Sequence, residues 1–386
     1  MKILFYCWEF PPNGTGVAGY IQAMTRSLCS AGHEILIVTG KSPGMPESTQ
    51  TVNGRVLRLY ERHEIGSMVV ARQVLQLARE AGVDWIEGAD HLGEAAVLAG
   101  MQGCPPLVIK AHSCNAMRVL RRSERLYAWQ APLMWAALLR QWRRYLAEYR
   151  SFKVADLLLV PSRRMHDEIV RQGLARAETM RVVPNPVVPC EIRSQEGQTP
   201  TILYVGRISL GKGVAFLPAM MRRVLKRHPD AVLELAGGDS YARGLGALKA
   251  WLMVEMGDMM KSVRFLGSLP AGKLDAAYRR AWVLAVPSRW DSFSNVTLEA
   301  MARGVPVVAS PHGGMPELLR GTGSPIADPA TPAFADAISD LLNDARRRRV
   351  LGSGLHQRAV AAYYPDVVVR EYLETVCDAL ELNADT

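Results

Sequence analysis

The chain has 386 residues, 49% of them apolar and 22% charged. That is length for two to three domains, each with its own core, and a composition that argues against disorder. The net charge of +9 and a pI near 9.3 leave nucleic acid, anionic lipid and acidic substrates open as partners. The six cysteines are scattered, with no CxxC and no paired spacing. This argues against a disulfide framework and a zinc site, and places the protein in a reducing cytoplasm.

The opening MKILFYCW is apolar but runs directly into Glu9 and two prolines. It is too short for a secretory h-region and reads as a first β-strand. No stretch reaches the roughly 20 apolar residues of a spanning helix. The longest candidate, Leu126–Leu139, is interrupted by Gln130 and Pro132. After the first strand come an amphipathic stretch over 17–31, then EILIVTG and later LLLV. The pattern restarts at Thr201 with TILYVG, followed by VLELAGG, WVLAVPS and VPVVAS. Continuous apolar strands separated by helices predict parallel sheets covered on both faces, hence an α/β protein. The Pro-rich, polar stretch after Pro184 reads as an interdomain linker. The predicted domains are 1–184 and 201–365, with a linker over 185–200 and a final amphipathic segment over 366–386.

Several motifs punctuate this pattern. PPNGTGVAGY, residues 11–20, lies between the first strand and the first helix, where glycines let backbone amides approach a ligand. Gly14, Gly16 and Gly19 loosely match the dinucleotide fingerprint GxGxxG. No acidic ribose ligand follows at the proper distance on a second strand, which weighs against a dehydrogenase. VIKAHSCN places His112 just past an apolar strand, where a satisfied strand-end histidine is the plain reading. In GRISLGKG, residues 206–213, Arg207 and Lys212 straddle a turn ending in Gly213. Two cations at a strand's carboxyl end suit a diphosphate leaving group, and an arginine after a buried strand calls for an anionic partner. The alternative is a solvated basic loop.

The most informative stretch is PSRWDSFSNVTLEAMARG, residues 287–304. Asp291 and Glu299 stand eight positions apart, around a polar loop and a helix predicted to open near Ser294–Val296 and stop at Gly304. The amides of a helix N-terminus can hold a phosphate. Glu299 lies about one turn past Asn295 and can face the same ligand. PHGGMPELL, 311–319, places Gly313 and Gly314 after an apolar strand and Glu317 in a first helical turn. Four arginines at 346–349 spread around a helix axis and read as a solvated face. Residues 118–153 carry nine Arg and Lys against Glu124 and Glu148, interleaved with Trp129, Trp135, Trp142, Tyr145 and Tyr149. This segment suits an interfacial helix near a lipid-linked acceptor, and equally core packing with a solvated basic face. No nucleic-acid-binding module is recognisable, so nucleic acid is set aside as a partner.

The carboxylate-x7-carboxylate spacing, the Gly-Arg…Lys-Gly element and the glycines after the first strand together resemble retaining GT-B glycosyltransferases of family four, the glycosyl transferases group 1. The family motif usually begins with Glu, where this chain has the shorter Asp291. The family usually has two adjacent glycines in the first loop; Gly16 matches the second and Thr15 replaces the first. The resemblance implies two Rossmann-like, doubly wound domains facing a central cleft, with the last helix crossing back to the first domain. It implies a nucleotide-diphosphate sugar donor bound by Gly16, Arg207, Lys212, Ser294, Asn295, Val296, Glu299, Gly313 and Gly314. VRFLGSL, 263–269, resembles the edge strand whose backbone reads the base. Glu299 is implied as the ribose ligand, Asp291 as a sugar-hydroxyl ligand and His112 as a contact near the anomeric carbon. With Arg207 and Lys212 these are the candidate catalytic residues. Transfer with retention, without metal and without cofactor, is the implied chemistry. The acceptor-facing regions are the least family-like, so the acceptor stays open between a soluble and a lipid-linked or anionic molecule. The latter would make this a cytoplasmic protein peripheral on a membrane. A nucleotide-sugar epimerase and a non-catalytic sugar-nucleotide-binding protein remain the alternatives.

Overall fold

The computed structural model describes residues 1–11, 16–52, 54–112, 146–192, 196–242 and 244–382. The chain forms two compact units, Met1–Pro186 with Pro365–Thr386, and Val187–Tyr364.

In the first unit, β1 (Lys2–Tyr6), β2 (Glu34–Gly40), β5 (Trp85–Ala89), β6 (Leu107–Lys110), β7 (Leu157–Val160) and β8 (Met180–Val182) join β3 (Ser48–Thr51) and β4 (Gly54–Tyr60). The sheet order is β3-β4-β2-β1-β5-β6-β7-β8. Only the β3–β4 hairpin is antiparallel. The apolar runs read from the sequence are the interior strands, and β5, β6 and β7 are buried along their whole length. Helix α1 (Gly16–Ser30) follows β1, α2 (Met68–Ala81) precedes β5, and α3 (Arg163–Arg171) follows β7. Each of α2 and α3 starts at a serine cap, Ser67 or Ser162, whose hydroxyl accepts a first-turn amide.

The second unit holds β9 (Thr201–Val205), β10 (Val232–Ala236), the small β11–β12 hairpin (Tyr241–Ala242, Gly246–Ala247), β13 (Val263–Gly267), β14 (Val283–Val286) and β15 (Val307–Ala309). The main sheet runs β13-β10-β9-β14-β15, all parallel. Its helices are α4 (Leu217–Arg227), α5 (Leu248–Met256), α6 (Ala271–Arg280), α7 (Asn295–Ala302), α8 (Met315–Leu318), α9 (Pro332–Asn343) and α10 (Ala345–Tyr363). The chain leaves β9 outward through β10 to β13, then returns to the other side of β9 at β14. That reversal is a topological switch point, the place beyond the carboxyl ends of the strands where open α/β sheets bind ligands.

The last helix, α11 (Pro365–Ala379), belongs to the first unit. Its Val368, Val369, Tyr372 and Val376 share a core with Ile21, Met24 and Leu28 of α1. The Trp85 indole donates to the Tyr372 hydroxyl at 3.0 Å.

One expectation fails. The four arginines of α10 are not uniformly solvated: Arg348 is 2% exposed. It donates to the carbonyls of Leu341 and Leu342 at the end of α9, pairs with Glu196 and lies 4.0 Å from the Trp282 ring centre. The α9 carboxyl end has unsatisfied carbonyls, and one inward arginine meets them. Among the described residues, no helix is long and apolar enough to cross a membrane. Cys7, Cys29, Cys104, Cys190 and Cys377 are free thiols. Residues 118–145 of the basic segment, and Gly14 and Thr15, lie outside the described residues.

Candidate active site

The candidate site of the second unit is built at its switch point. The 207–213 loop leaves β9, the 287–294 loop leaves β14 and the 310–314 loop leaves β15. These loops are stitched to one another. The Arg289 amide donates to the Gly211 carbonyl at 3.0 Å, and the Gly314 amide donates to the Asp291 carbonyl at 2.8 Å. The Ser310 hydroxyl donates to the Ser288 carbonyl at 2.5 Å. Two glycines make this closeness possible. Gly213 and Gly313 both have φ near +79°. A Cβ on Gly213 would fall 1.8 Å from the Pro287 oxygen, and one on Gly313 would fall 1.9 Å from the Asp291 oxygen. Their freedom is used to bring backbone against backbone.

Within this frame Lys212 Nζ donates to Asp291 Oδ2 at 2.6 Å. The Asp291 side chain is 11% exposed and that of Lys212 37%. The structure thus joins two residues that the sequence motifs assign to separate parts of the donor. Arg207, in contrast, is exposed. Burial therefore does not compel an anionic partner for it, and that part of the sequence argument fails: the strand is buried but the side chain after it is not. Its carbonyl is held by the Tyr204 hydroxyl at 2.7 Å.

Helix α7 begins and ends where the sequence places it. Ser294 is the cap, its hydroxyl accepting from the Thr297 amide and hydroxyl. The helix ends one residue before Arg303, and Gly304 follows with φ +68°. The amides of Asn295 and Val296 have no carbonyl four residues back within the helix, so they define the electropositive end. Leu298, Met301 and Ala302 are buried against the core.

Glu299 lies one turn in and is half-buried. Its Oε2 is 2.9 Å from the Tyr278 hydroxyl, which also lies 3.2 Å from the Val296 carbonyl. Arg303 donates to the Glu299 carbonyl at 2.9 Å and stacks over the Tyr278 ring at 5.1 Å. Burial raises the Glu299 carboxyl above its ordinary range, and the Tyr278 hydrogen bond and the Arg303 charge partly oppose that rise. Sequence spacing could not reveal Tyr278 as its companion, because Tyr278 lies on another helix; for Arg303, four positions after Glu299, the i,i+4 spacing is the signal that could have found it. The loop glycines and α8 bring Glu317 into a first turn, whose carbonyl accepts from Arg358 at 3.0 Å.

In the first unit, Gly16 is the exposed first residue of α1. His112 follows β6 and is half-buried. Its amide donates to Asp90 Oδ1 at 3.1 Å, and its ring meets the Tyr20 ring edge-on at 4.8 Å. Beneath lies a buried polar group. The Tyr20 hydroxyl donates to Glu87 Oε1 at 3.1 Å, and Lys110 sits 5.1 Å from the Tyr20 ring centre and donates to the Val183 carbonyl. Burial pushes Glu87 up and Lys110 down. Asp90 and Tyr20 are neighbours of His112 that the sequence did not single out.

Residues 14–189 match the model described as Glycosyltransferase Family 4, and residues 199–344 the model described as Glycosyl transferases group 1. The glycogen synthase of Mycobacterium tuberculosis is 26% identical over 89% of this chain and 86% of its own. A GDP-mannose-dependent alpha-(1-6)-phosphatidylinositol monomannoside mannosyltransferase of Mycolicibacterium smegmatis is 27% identical over 90% of this chain and 91% of its own. The crystal structure of Anabaena Alr3699/HepE in complex with UDP-glucose superposes with a TM-score of 0.72 at 18% identity, covering 98% of this chain and 100% of that one. Two α/β units with parallel sheets and this likeness define the GT-B fold. The chain belongs to the family-four, group 1 glycosyltransferases.

Proposed function

We propose that this glycosyltransferase moves a sugar from a nucleotide-diphosphate sugar to an acceptor with retention of anomeric configuration. The observation that carries the reading is the convergence of Lys212, Asp291 and the capped start of α7 at the switch point of the second unit. Lys212 and Arg207 would oppose the charge that develops on the departing diphosphate, together with the amides around Ser294–Val296. Glu299 would accept hydrogen bonds from the ribose hydroxyls. Asp291 would bind a donor-sugar hydroxyl through the oxygen not engaged by Lys212. Gly16 and His112 are the first unit's candidates for contact with the donor sugar. Gly313 and Gly314 supply close backbone approach.

Asp291 is held by Lys212 through Oδ2 and is read as a sugar-hydroxyl ligand, not as a nucleophile. Front-face transfer through an oxocarbenium-like state is the mechanism proposed. Two cations and a helix terminus already offset the diphosphate, so the proposed step requires neither metal nor cofactor. The likeness to the UDP-glucose complex supports a nucleotide-sugar donor. The likeness to the mannosyltransferase, whose name gives a phosphatidylinositol monomannoside as acceptor, supports a lipid-linked, anionic acceptor. With such an acceptor the protein would work from the cytoplasm at a membrane surface.

A thermal-shift screen of UDP-, GDP-, ADP- and dTDP-sugars tests the donor. A ligand at 100 times its dissociation constant adds about 2.7 kcal/mol of stability, which is readily seen. Stabilisation by one of these donors is the expected result, and failure of all of them to bind would refute the reading.

A further inference from the structure

We propose that Tyr278 is the positioning residue for Glu299 and that the pair makes the site selective for ribonucleotide donors over 2′-deoxy ones. The inference rests on the reading of Glu299 as the ribose ligand and deepens it. A carboxylate recognises a vicinal diol by accepting from both hydroxyls, and it does so well only when its oxygens are fixed in place. Glutamate alone is a flexible side chain. Here one contact holds the carboxylate, and further contacts hold its anchor. The Tyr278 hydroxyl holds Oε2 at 2.9 Å, leaving Oε1 for a ligand. The same hydroxyl lies 3.2 Å from the Val296 carbonyl, so the anchor is referenced to the first turn of α7, where the phosphate would sit. Arg303 lies over the Tyr278 ring and is itself fixed by Asp275 at 2.7 Å and by the Glu299 carbonyl. Tyr278 is fully buried, so its ring cannot swing away.

A buried hydroxyl aimed at a carboxylate has a second consequence. It favours the ionised form, the form that accepts from a diol, against the burial that raises Glu299. The charged and titratable groups around Glu299 are Tyr278 and Asp275 on α6, Arg303 at the end of α7 and Cys190 near the start of the second unit. Of these, Tyr278 and Arg303 favour its ionisation. A donor lacking the 2′-hydroxyl leaves one lone pair of this partly desolvated carboxylate unmatched. A site built around a hydroxyl discriminates strongly against the ligand that lacks it.

The test uses the full chain and measures the affinity of UDP, GDP and ADP and of their 2′-deoxy counterparts, for the native protein, Tyr278→Phe, Glu299→Gln and the double variant. The expected native preference for the ribonucleotide is about 10-fold or more, as for loss of a hydrogen bond to a charged group. Tyr278→Phe, which removes one oxygen and keeps the ring under Arg303, should bring that ratio within about threefold of unity. It should also move the acid limb of ribonucleotide binding to higher pH. In the Glu299→Gln background the tyrosine change should alter the ratio no further. A native protein that binds ribo and deoxyribo forms equally would overturn the reading of Glu299 itself. A native preference that survives Tyr278→Phe, or one that the same change lowers equally in the Glu299→Gln background, would overturn the role of Tyr278 alone.

Discussion

Lys212 Nζ and Asp291 Oδ2 lie 2.6 Å apart, across 79 positions of sequence. The two motifs that carry them, one after β9 and one after β14, are therefore a single electrostatic unit. Asp291 partly cancels the charge that Lys212 would present to a diphosphate. Asp291→Asn should therefore tighten binding of the free nucleoside diphosphate, while transfer falls because a sugar-hydroxyl contact is weakened. A pair this accessible contributes at most about 1 kcal/mol, so the tightening should stay within roughly fivefold. Lys212→Ala should lower turnover by about 100-fold. The double variant should cost less than the sum, as expected for residues in direct contact. Calorimetric titration of the nucleoside diphosphate decides the point: weaker binding by Asp291→Asn would show that the carboxylate supports, rather than opposes, the phosphate contact.

Arg348 predicts a contrast among four adjacent arginines. Breaking a buried ion pair by removing one partner is costly, commonly about 3–5 kcal/mol. Arg348→Met should destabilise the second unit on that scale, since it also abandons two helix-end carbonyls. Arg346, Arg347 and Arg349 are exposed, and their glutamine variants should each stay within about 0.5 kcal/mol of native. Chemical denaturation of the four variants measures this, and equal losses at all four positions would contradict it.

Glu94 predicts a pH dependence in the first unit. It is buried, accepts from the Trp8 amide at 2.9 Å and lies 3.0 Å from the Tyr60 hydroxyl. Burial is the main cause that pushes its carboxyl up to about 8, with nearby Glu9 adding and the two hydrogen bonds opposing. Tyr6 and Cys7 also face it. A carboxyl raised on folding makes the folded state bind more protons than the unfolded one. Its contribution is present in full below about pH 4.5 and is lost as pH rises through about 8. Against native protein, Glu94→Gln should therefore gain relative stability over that window, on the order of 1–4 kcal/mol. Melting both proteins between pH 5 and 9 tests it, and parallel curves would rule it out.

The basic aromatic segment predicts a salt-sensitive attraction to anionic surfaces. The Debye length falls from about 10 Å at 0.1 M salt to about 3 Å at 1 M. Replacing Arg140, Arg143 and Arg144 with Gln should reduce co-sedimentation with anionic vesicles and leave nucleotide binding intact. Native protein that fails to sediment with anionic vesicles even at low salt would point to a soluble acceptor.

What was legible in the sequence follows from how local each signal is. TILYV, VLAV and VVA are continuous apolar runs and became β9, β14 and β15: β9 and β14 are interior parallel strands that need both faces apolar, and β15, at the sheet edge, is buried along its whole length as well. Ser294 and Gly304 bracket α7 because capping chemistry acts over three or four residues. The contacts that orient the site are not local. Tyr278 reaches Glu299 from another helix, Asp90 reaches the His112 amide from another strand end, and Asp291 reaches Lys212 from another loop. No periodicity or spacing encodes such partners. The exposure of Arg207 and the burial of Arg348 invert the sequence reading for the same reason. Position along a helix or after a strand does not say which carbonyls or solvent the side chain meets.

The measurement that tests the central claim most directly is the fate of a nucleotide-diphosphate sugar at the second unit's switch point. Native protein and Lys212→Ala should be titrated with the UDP-, GDP-, ADP- and dTDP-sugars, and the best-bound donor then followed for release of nucleoside diphosphate and formation of glycoside in the presence of candidate acceptors. The account predicts that one donor binds, that Lys212→Ala lowers its turnover by about 100-fold, and that the glycoside keeps the donor's anomeric configuration. Turnover that is unchanged in Lys212→Ala, or a product of inverted configuration, would contradict it.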